Sequence, residues 1–184
     1  MDPLRGRHIV LGVAGSVAAY KAADVARRLT AAGAQVTAVL TAGAQRFITP
    51  LTLTALTGRP ALTDPFDLPS GSMPHLDLAK NAAAILVAPA SANLLARLAA
   101  GSADDLLTSL ILATRAPVIL APAMHEPMWT HPATQRNVET LKGFGYTILG
   151  PATGALASGD QGTGRLLEPD VIVAELVRSL ASRI

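Results

Sequence analysis

The sequence predicts an α/β domain organised on an open parallel sheet. Three observations carry that prediction. Short apolar runs of strand length at 8–12, 35–40, 85–88 and 118–121 alternate with segments of helical periodicity. The runs are continuously apolar, as in a sheet buried on both faces. Two of them end alike, in Ala88-Pro-Ala and Ala121-Pro-Ala, and then break into polar residues. Ligands of such sheets bind beyond the carboxyl ends of the strands, so the polar groups after each run are expected to line one crevice.

The chain has 184 residues, which fits one domain spanning 1–184 with a substantial core. Half its residues are hydrophobic and 15% are charged, against roughly 25% in typical soluble domains. Too few charges remain to cover a monomer, so a homo-oligomer is expected. Aromatic residues make up 3%, the net charge is +2, and Lys and Arg are scattered. That pattern argues against a nucleic-acid partner. There is no cysteine, which excludes disulfides, thiolate nucleophiles and Cys-ligated metals; no metal is expected, and a cytoplasmic location follows. No uninterrupted apolar stretch reaches the roughly 18 residues of a membrane span. The start, Met1-Asp-Pro-Leu-Arg-Gly-Arg7, lacks signal-peptide character.

Residues 8–12 form the first expected strand. A helix is expected over 17–32, with Ala18, Ala22, Val25 and Leu29 on one face and Lys21, Asp24 and Arg28 on the other. Between them, Gly12-Val-Ala-Gly-Ser16 makes a strand, a Gly turn and a helix start, where free N–H groups and the helix dipole attract an anion. The alternative is a turn whose glycines serve only packing. The second strand, 35–40, ends in Thr41-Ala-Gly43 and not in the acid that holds an adenosine ribose, so a terminal phosphate fits better than NAD. The G-x-x-x-x-G-K-[ST] pattern is absent.

Thr49 and Pro50 open a helix over 51–57, preceded by Phe47, which serves as core or ligand wall. Pro65, Pro69 and Gly71 mark a loop over 63–72 that delivers His75. Titration near neutral pH suits a histidine to proton transfer, although a lone histidine is more often structural. Ser91 caps a helix over 91–99, and Ser102 or Asp104 caps the next, over 106–113. Capping alone accounts for these polar residues as well as ligand contact does. Pro132 opens a helix running to Lys142, and 147–149 is a last short strand. Residues 150–168 hold Gly154, Gly159, Gly162 and Gly164, too Gly-rich for helix or sheet, and read as a flap over a ligand. Pro169 then opens a final helix with Val173, Leu176, Val177 and Leu180 on one face.

Six of these segments, in order, resemble the homo-oligomeric flavin-containing Cys decarboxylases, most closely the phosphopantothenoylcysteine decarboxylases. They are Gly15-Ser-Val-Ala-Ala-Tyr-Lys21, His75-Leu76, Ala88-Pro-Ala-Ser-Ala-Asn93, Ala103-Asp-Asp-Leu-Leu-Thr108, Pro122-Ala-Met-His-Glu-Pro-Met-Trp129 and Ser158-Gly-Asp-Gln-Gly-Thr-Gly-Arg165. The resemblance implies a Rossmann-like, flavodoxin-type three-layer sandwich with bound FMN. It also implies a trimer, or a dodecamer built from trimers, with the flavin near a subunit boundary. Gly15, Ser16, Val17, Thr41, Ala42 and Gly43 would hold the FMN phosphate. Ser91, Ala92, Asn93 and Leu94 would contact the flavin, with Phe47, Ser102, Asp105 and Ala123 in the same cofactor site. His75 matches the catalytic base. Met124, His125, Met128 and Trp129 match the substrate-carboxylate motif, and Ser158, Gly159, Asp160 and Arg165 the substrate clamp.

The implied activity is FMN-dependent decarboxylation of 4′-phosphopantothenoyl-cysteine to 4′-phosphopantetheine in coenzyme A biosynthesis. A cysteinyl carboxylate has no electron sink beside it. Oxidation of the thiol-bearing carbon to a thioaldehyde would create one, which is why a flavin is needed. Two residues depart from the resemblance: His125 stands where the motif carries Asn, and Ser158 where the clamp carries a Cys acid. His125 implies retained carboxylate binding; Ser158 leaves open whether His125, Asp160 or water replaces the thiol, or whether the reaction stops at the oxidised product. A decarboxylase of a peptidyl C-terminal cysteine, which needs only the oxidative half, is the first alternative. A non-catalytic FMN-binding regulatory subunit is the second, disfavoured by the absence of an acidic tail. A phosphopantothenate-cysteine ligase is expected as a fused domain or partner.

Overall fold

The computed structural model describes residues 4–66 and 73–181. Its main sheet is built from the predicted runs, as β1 (His8–Val13), β2 (Gln35–Leu40), β3 (Ala84–Ala90), β4 (Val118–Pro122) and β5 (Thr147–Ile148). A hairpin, β6 (Ala152–Ala155) and β7 (Gln161–Arg165), stands apart from it. The helices are α1 (Ala22–Ala31), α2 (Pro50–Thr57), α3 (Pro74–Asn81), α4 (Ala92–Ala99), α5 (Leu106–Ala113), α6 (Glu126–Thr130), α7 (Pro132–Gly143) and α8 (Pro169–Ala181).

Every pairing in the main sheet is parallel, in the order β2-β1-β3-β4-β5. That is the flavodoxin-type order of a Rossmann-like fold. The two Pro-Ala strands are neighbours, with Ile85 opposite Val118 and Ala90 opposite Pro122. Pro122 is therefore the last strand residue, not its terminator, because a missing N–H is tolerated at a strand end.

Successive strand residues point to opposite faces, and this divides the core into two. Ile9, Leu11, Val13, Leu86 and Ile119 pack with Val25 and Leu29 of α1, Leu53 of α2 and Ile172 and Leu176 of α8. On the other face, Val10, Ile85, Val87, Val118 and Leu120 pack with Leu94, Leu95 and Leu98 of α4, Leu107 and Leu110 of α5, and Leu141 of α7. The result is the three-layer sandwich. Gly12 lets α5 close on the sheet: a Cβ there would lie 2.8 Å from Leu107 Cδ1. Among the described residues no helix is long and apolar enough to cross a membrane.

Three expectations need correction, and a fourth falls partly outside the described residues. The helix expected over 17–32 divides into a 3-10 segment, Val17–Lys21, and α1. Its entry is tightened by i→i+3 bonds such as Ala19 N to Ser16 O at 2.9 Å. The cap of α5 is neither Ser102 nor Asp104 but Asp105, whose carboxylate accepts from Thr108 N at 2.8 Å while Thr108 Oγ1 accepts from Asp105 N. The Gly-rich stretch is a two-stranded hairpin, not a structureless flap. Thr153 and Thr163 are paired across it, their hydroxyls 2.8 Å apart. In the loop expected over 63–72, Asp64 Oδ1 accepts from Phe66 N at 2.8 Å as a turn requires, and residues 67–72 lie outside those described.

Candidate functional site

In a β2-β1-β3-β4-β5 sheet the chain leaves β1 in one direction and returns to β3 on its other side, opening a crevice between their carboxyl ends. A cavity of about 1120 Å³ occupies that place. It exceeds the ordinary ligand pocket of roughly 300–1,000 Å³ and has room for two small molecules side by side.

Its floor is made by the turns after β1 and β2, which touch backbone to backbone. A Cβ on Gly15 would lie 2.9 Å from the carbonyl carbon of Gly43 and 3.0 Å from its Cα. Thr41 is buried and braces the second turn, its Oγ1 accepting from Ala44 N at 3.2 Å. Ser16 caps the 3-10 segment by accepting from Ala18 N, and its hydroxyl reaches Ala123 O at 3.4 Å. Among the described residues no hydrogen bond is made by the amides of Gly15, Ser16, Ala42 or Gly43. Four free N–H groups on two abutting turns form a cradle for an anion.

One wall comes from α4 and the segment before α5. Ser91 caps α4 by accepting from Leu94 N at 3.3 Å, and Ser91, Ala92, Asn93 and Leu94 all line the cavity. Arg97, one turn further along α4, pairs with Asp104 and Asp105; its Nη2 is 2.8 Å from Asp105 Oδ2. Hydrogen bonds from Arg97, then from Ser102, pull Asp104 down to a pKa of about 2. Ser102 itself does not line the cavity; its hydroxyl donates to Asp104 Oδ1 at 2.7 Å. Asp105 does line it, and combines that place with its capping bond.

The opposite wall is the end of β4 and the hairpin laid across it. Ala123 N bonds to Ala90 O, tying the two Pro-Ala ends together at 3.1 Å. Met124 N then bonds to Gly164 O at 2.9 Å, and Glu126 Oε1 accepts from Thr163 N at 2.8 Å. A Cβ on Gly164 would sit 2.1 Å from Met124 O, and one on Gly162 2.7 Å from Glu126 Oε2. The glycines thus permit close strand packing, which is why a Gly-rich stretch forms a sheet here. At the hairpin tip Gly159 has φ of +93°, the left-handed conformation the turn requires. The tip brings Asp160 Oδ2 to 3.2 Å from His125 Nε2 and 2.8 Å from Ser158 Oγ.

Of the residues singled out in the sequence, Gly15, Ser16, Val17, Thr41, Ala42, Gly43, Ser91 to Leu94, Asp105, Ala123, Met124, His125, Met128, Ser158 and Arg165 share this cavity. Phe47 does not line it; its side chain is exposed. Trp129 is turned toward the core beside α7. Gly159 and Asp160 do not line the cavity; Gly159 makes the hairpin turn and Asp160 contacts His125. His75 is also absent from the lining. It lies in the first turn of α3, a helix that packs against α5. Its Nδ1 is buried without a hydrogen-bond partner among the described residues, beside exposed Met73 and Leu76. The lining also includes Tyr20 and Arg97, to which sequence reading assigns no role, and Lys21 and Asp104, which it assigns to a helix face and a cap. Lys21 and Arg165 meet at one carboxylate, Glu168, the Lys21 Nζ at 3.1 Å. Two cations on a single carboxylate leave this part of the site positive.

The chain is similar to known proteins over nearly all its length. It is 50% identical over 187 residues to the coenzyme A biosynthesis bifunctional protein CoaBC of Vibrio cholerae, covering all of this chain and 46% of that protein. The chain thus spans about half the length of the curated relatives it matches. Among solved structures, a mutant PPC decarboxylase complexed with pantothenoylaminoethenethiol superposes with a TM-score of 0.83 at 32% identity, over 94% of this chain and 97% of that one. The FMN-dependent cysteine decarboxylase SpaF does so with a TM-score of 0.83 at 32% identity, over 96% and 98%. Residues 1–181 match the profile of the family described as Flavoprotein. With that match over nearly the whole chain, and with an anion cradle at the switch point of a flavodoxin-type sheet, the chain belongs to the flavoprotein family.

Proposed function

We propose that this chain binds FMN and decarboxylates 4′-phosphopantothenoyl-cysteine to 4′-phosphopantetheine. The observation that carries the cofactor is the cradle of Gly15, Ser16, Ala42 and Gly43, whose free amides match a terminal phosphate. Val17 and Thr41 frame it, and Ser91 to Leu94 and Ala123 supply the wall along which a flavin ring would lie. FMN held there would supply a reversible hydride acceptor for the thiol-bearing carbon. The chain's own residues hold the substrate for this. Met124, His125 and Met128 line the part of the cavity suited to its carboxylate, and the hairpin excludes water above them. The excess charge of Lys21 and Arg165 over Glu168 suits a phosphorylated substrate. That observation favours phosphopantothenoyl-cysteine over the second reading, a peptide ending in cysteine, which the likeness to SpaF supports.

The assembly is part of this reading. Low charge and the exposed Val17, Tyr20, Phe47, Leu51, Met73 and Leu76 are accounted for by a homo-oligomer, a trimer or a dodecamer of trimers. His75, outside the lining of its own cavity and beside the exposed Met73 and Leu76, would then serve as base in the cavity of a neighbouring copy. Residues 1–184 would act as one FMN-binding unit in the cytoplasm, with a phosphopantothenate-cysteine ligase as fused domain or partner.

The test is the visible spectrum of the purified protein before and after anaerobic addition of phosphopantothenoyl-cysteine. Transient bleaching of a yellow protein with release of CO2 is expected; a protein that stays colourless with excess FMN refutes the reading. At FMN concentrations too low to load the Gly15→Ala cavity, oligomers mixed from His75→Gln and Gly15→Ala chains should regain activity that neither parent has. Failure to regain any would refute the shared site.

A further inference from the structure

The decarboxylase reading leaves one chemical need unmet, and the following inference rests on that reading. Loss of CO2 leaves an enethiolate, and its conversion to the saturated thiol requires a proton at the carbon beside nitrogen. The chain has no cysteine to supply it. Among the described residues lining the cavity, the ionisable side chains are Tyr20, Lys21, Arg97, Asp104, Asp105, His125 and Arg165. Guanidinium groups do not release protons near neutral pH, which removes Arg97 and Arg165. Asp104 and Asp105 are both ion-paired to Arg97, and Lys21 is held on Glu168. Tyr20 is 64% exposed, and a phenol in water is a far weaker acid than an imidazolium. Ser158 has a hydroxyl, which is weaker still, and it already donates to Asp160.

Within the chain's own lining His125 remains; a neighbouring copy's His75 is assigned to the thiol proton, and the surroundings of His125 suit the second task. A carboxylate only accepts hydrogen bonds, so the 3.2 Å contact to Asp160 Oδ2 places a hydrogen on Nε2 of His125. Nδ1 is then the nitrogen that gains and loses the mobile proton. Ser158 donates to the same Oδ2 and fixes the orientation of the carboxylate. Asp160 is held below the usual carboxylate range, first by the Ser158 hydrogen bond and then by His125, so it stays an anion beside the imidazolium. The two residues that depart from the resemblance are therefore joined through one oxygen atom.

We propose that His125 is the acid that protonates the decarboxylated intermediate, with Asp160 and Ser158 as its positioning residues. The His125 imidazolium gives its proton to the carbon beside nitrogen, and the C=C of the enethiolate becomes C=S. The C=S carbon then accepts the hydride that a bound, reduced flavin would supply, which leaves a thiolate. His125 takes a proton from water to reset, and the flavin ends oxidised, so atoms and electrons balance without a thiol.

The experiment is product analysis of the FMN-loaded protein with phosphopantothenoyl-cysteine under anaerobic conditions, by mass and, in D2O, by NMR. The unaltered protein should yield product that has lost CO2 alone, with deuterium on one face of the carbon beside nitrogen. His125→Asn should raise the share of product lacking CO2 and two hydrogens at least tenfold, and scramble the label in what remains saturated. Ser158→Cys in the His125→Asn background should restore saturated product. If His125→Asn fails to hold FMN, Asp160→Ala is read by the same criteria, with a shift in the same direction. A product split and labelling pattern unchanged by these substitutions overturns the assignment, as does release of only the dehydrogenated product by the unaltered protein. Absence of both CO2 and bleaching in the unaltered protein overturns the decarboxylase reading, and this assignment with it.

Discussion

Gly15→Ala should weaken FMN binding without unfolding the chain. The new Cβ would meet the Gly43 carbonyl carbon at 2.9 Å and its Cα at 3.0 Å, whereas carbon atoms rest about 3.5–4.0 Å apart. Both opposing atoms are backbone, so no side chain can rotate away. The two turns must part by roughly half an ångström or more. Overpacking of this kind costs about 1–3 kcal/mol in stability. If the movement breaks one hydrogen bond to the phosphate, about 1.5–3 kcal/mol of binding is lost, and Kd for FMN rises roughly ten- to a hundredfold. Gly43→Ala is the control, since its Cβ would have no neighbour nearer than 3.4 Å; its Kd should change by less than about threefold. The assay is quenching of FMN fluorescence by the apoprotein, with thermal melts followed by circular dichroism. Equal affinities for Gly15→Ala and the unaltered chain, or a weaker Gly43→Ala, would refute the cradle as the phosphate site.

Two other substitutions probe the walls. Gly164→Ala would drive a Cβ to 2.1 Å from Met124 O and break the Met124 N to Gly164 O bond. Detachment of the hairpin should raise KM for substrate by about tenfold or more, in line with the cost of misplacing groups around a reaction. FMN titration should change less, and equal losses in both would contradict the separation of hairpin from cradle. Arg97→Met removes the largest cause of the lowered Asp104 pKa. A depressed folded carboxyl stabilises above its unfolded pKa and loses that contribution as pH falls through its folded value. The gap in Tm between the unaltered chain and Arg97→Met should therefore narrow between pH 3.8 and about 2; calorimetry across that range showing a constant gap would count against it.

Much of the site was legible because its signals are local. Gly15 and Ser16 follow a strand and precede a helical turn, and that order alone marks an anion site. Ser91 and Thr49 read as caps and act as caps, accepting from Leu94 N and Thr52 N. The helical face given to Lys21 was misjudged because the 3-10 segment turns faster per residue than an α-helix, which swings Lys21 into the cavity lining. Arg97 lies within the expected helix over 91–99, and nothing in its window shows that Asp104 and Asp105 fold back to it.

What the sequence determined by itself was the sheet, its layers and the glycine turn after the first strand. Continuous apolar runs, glycine at turns and side-chain caps act within a few residues of where they are written. What only the tertiary structure decided was contact between distant segments. Gly162 and Gly164 look like strand breakers until Glu126 and Met124 are packed against them, and His125 finds Asp160 across 35 residues of sequence. His75 is kept out of the cavity lining although it belongs to the same resemblance as residues that share it. Such pairings are set by how two cores on opposite faces of one sheet close around each other, and no local window of residues records that geometry.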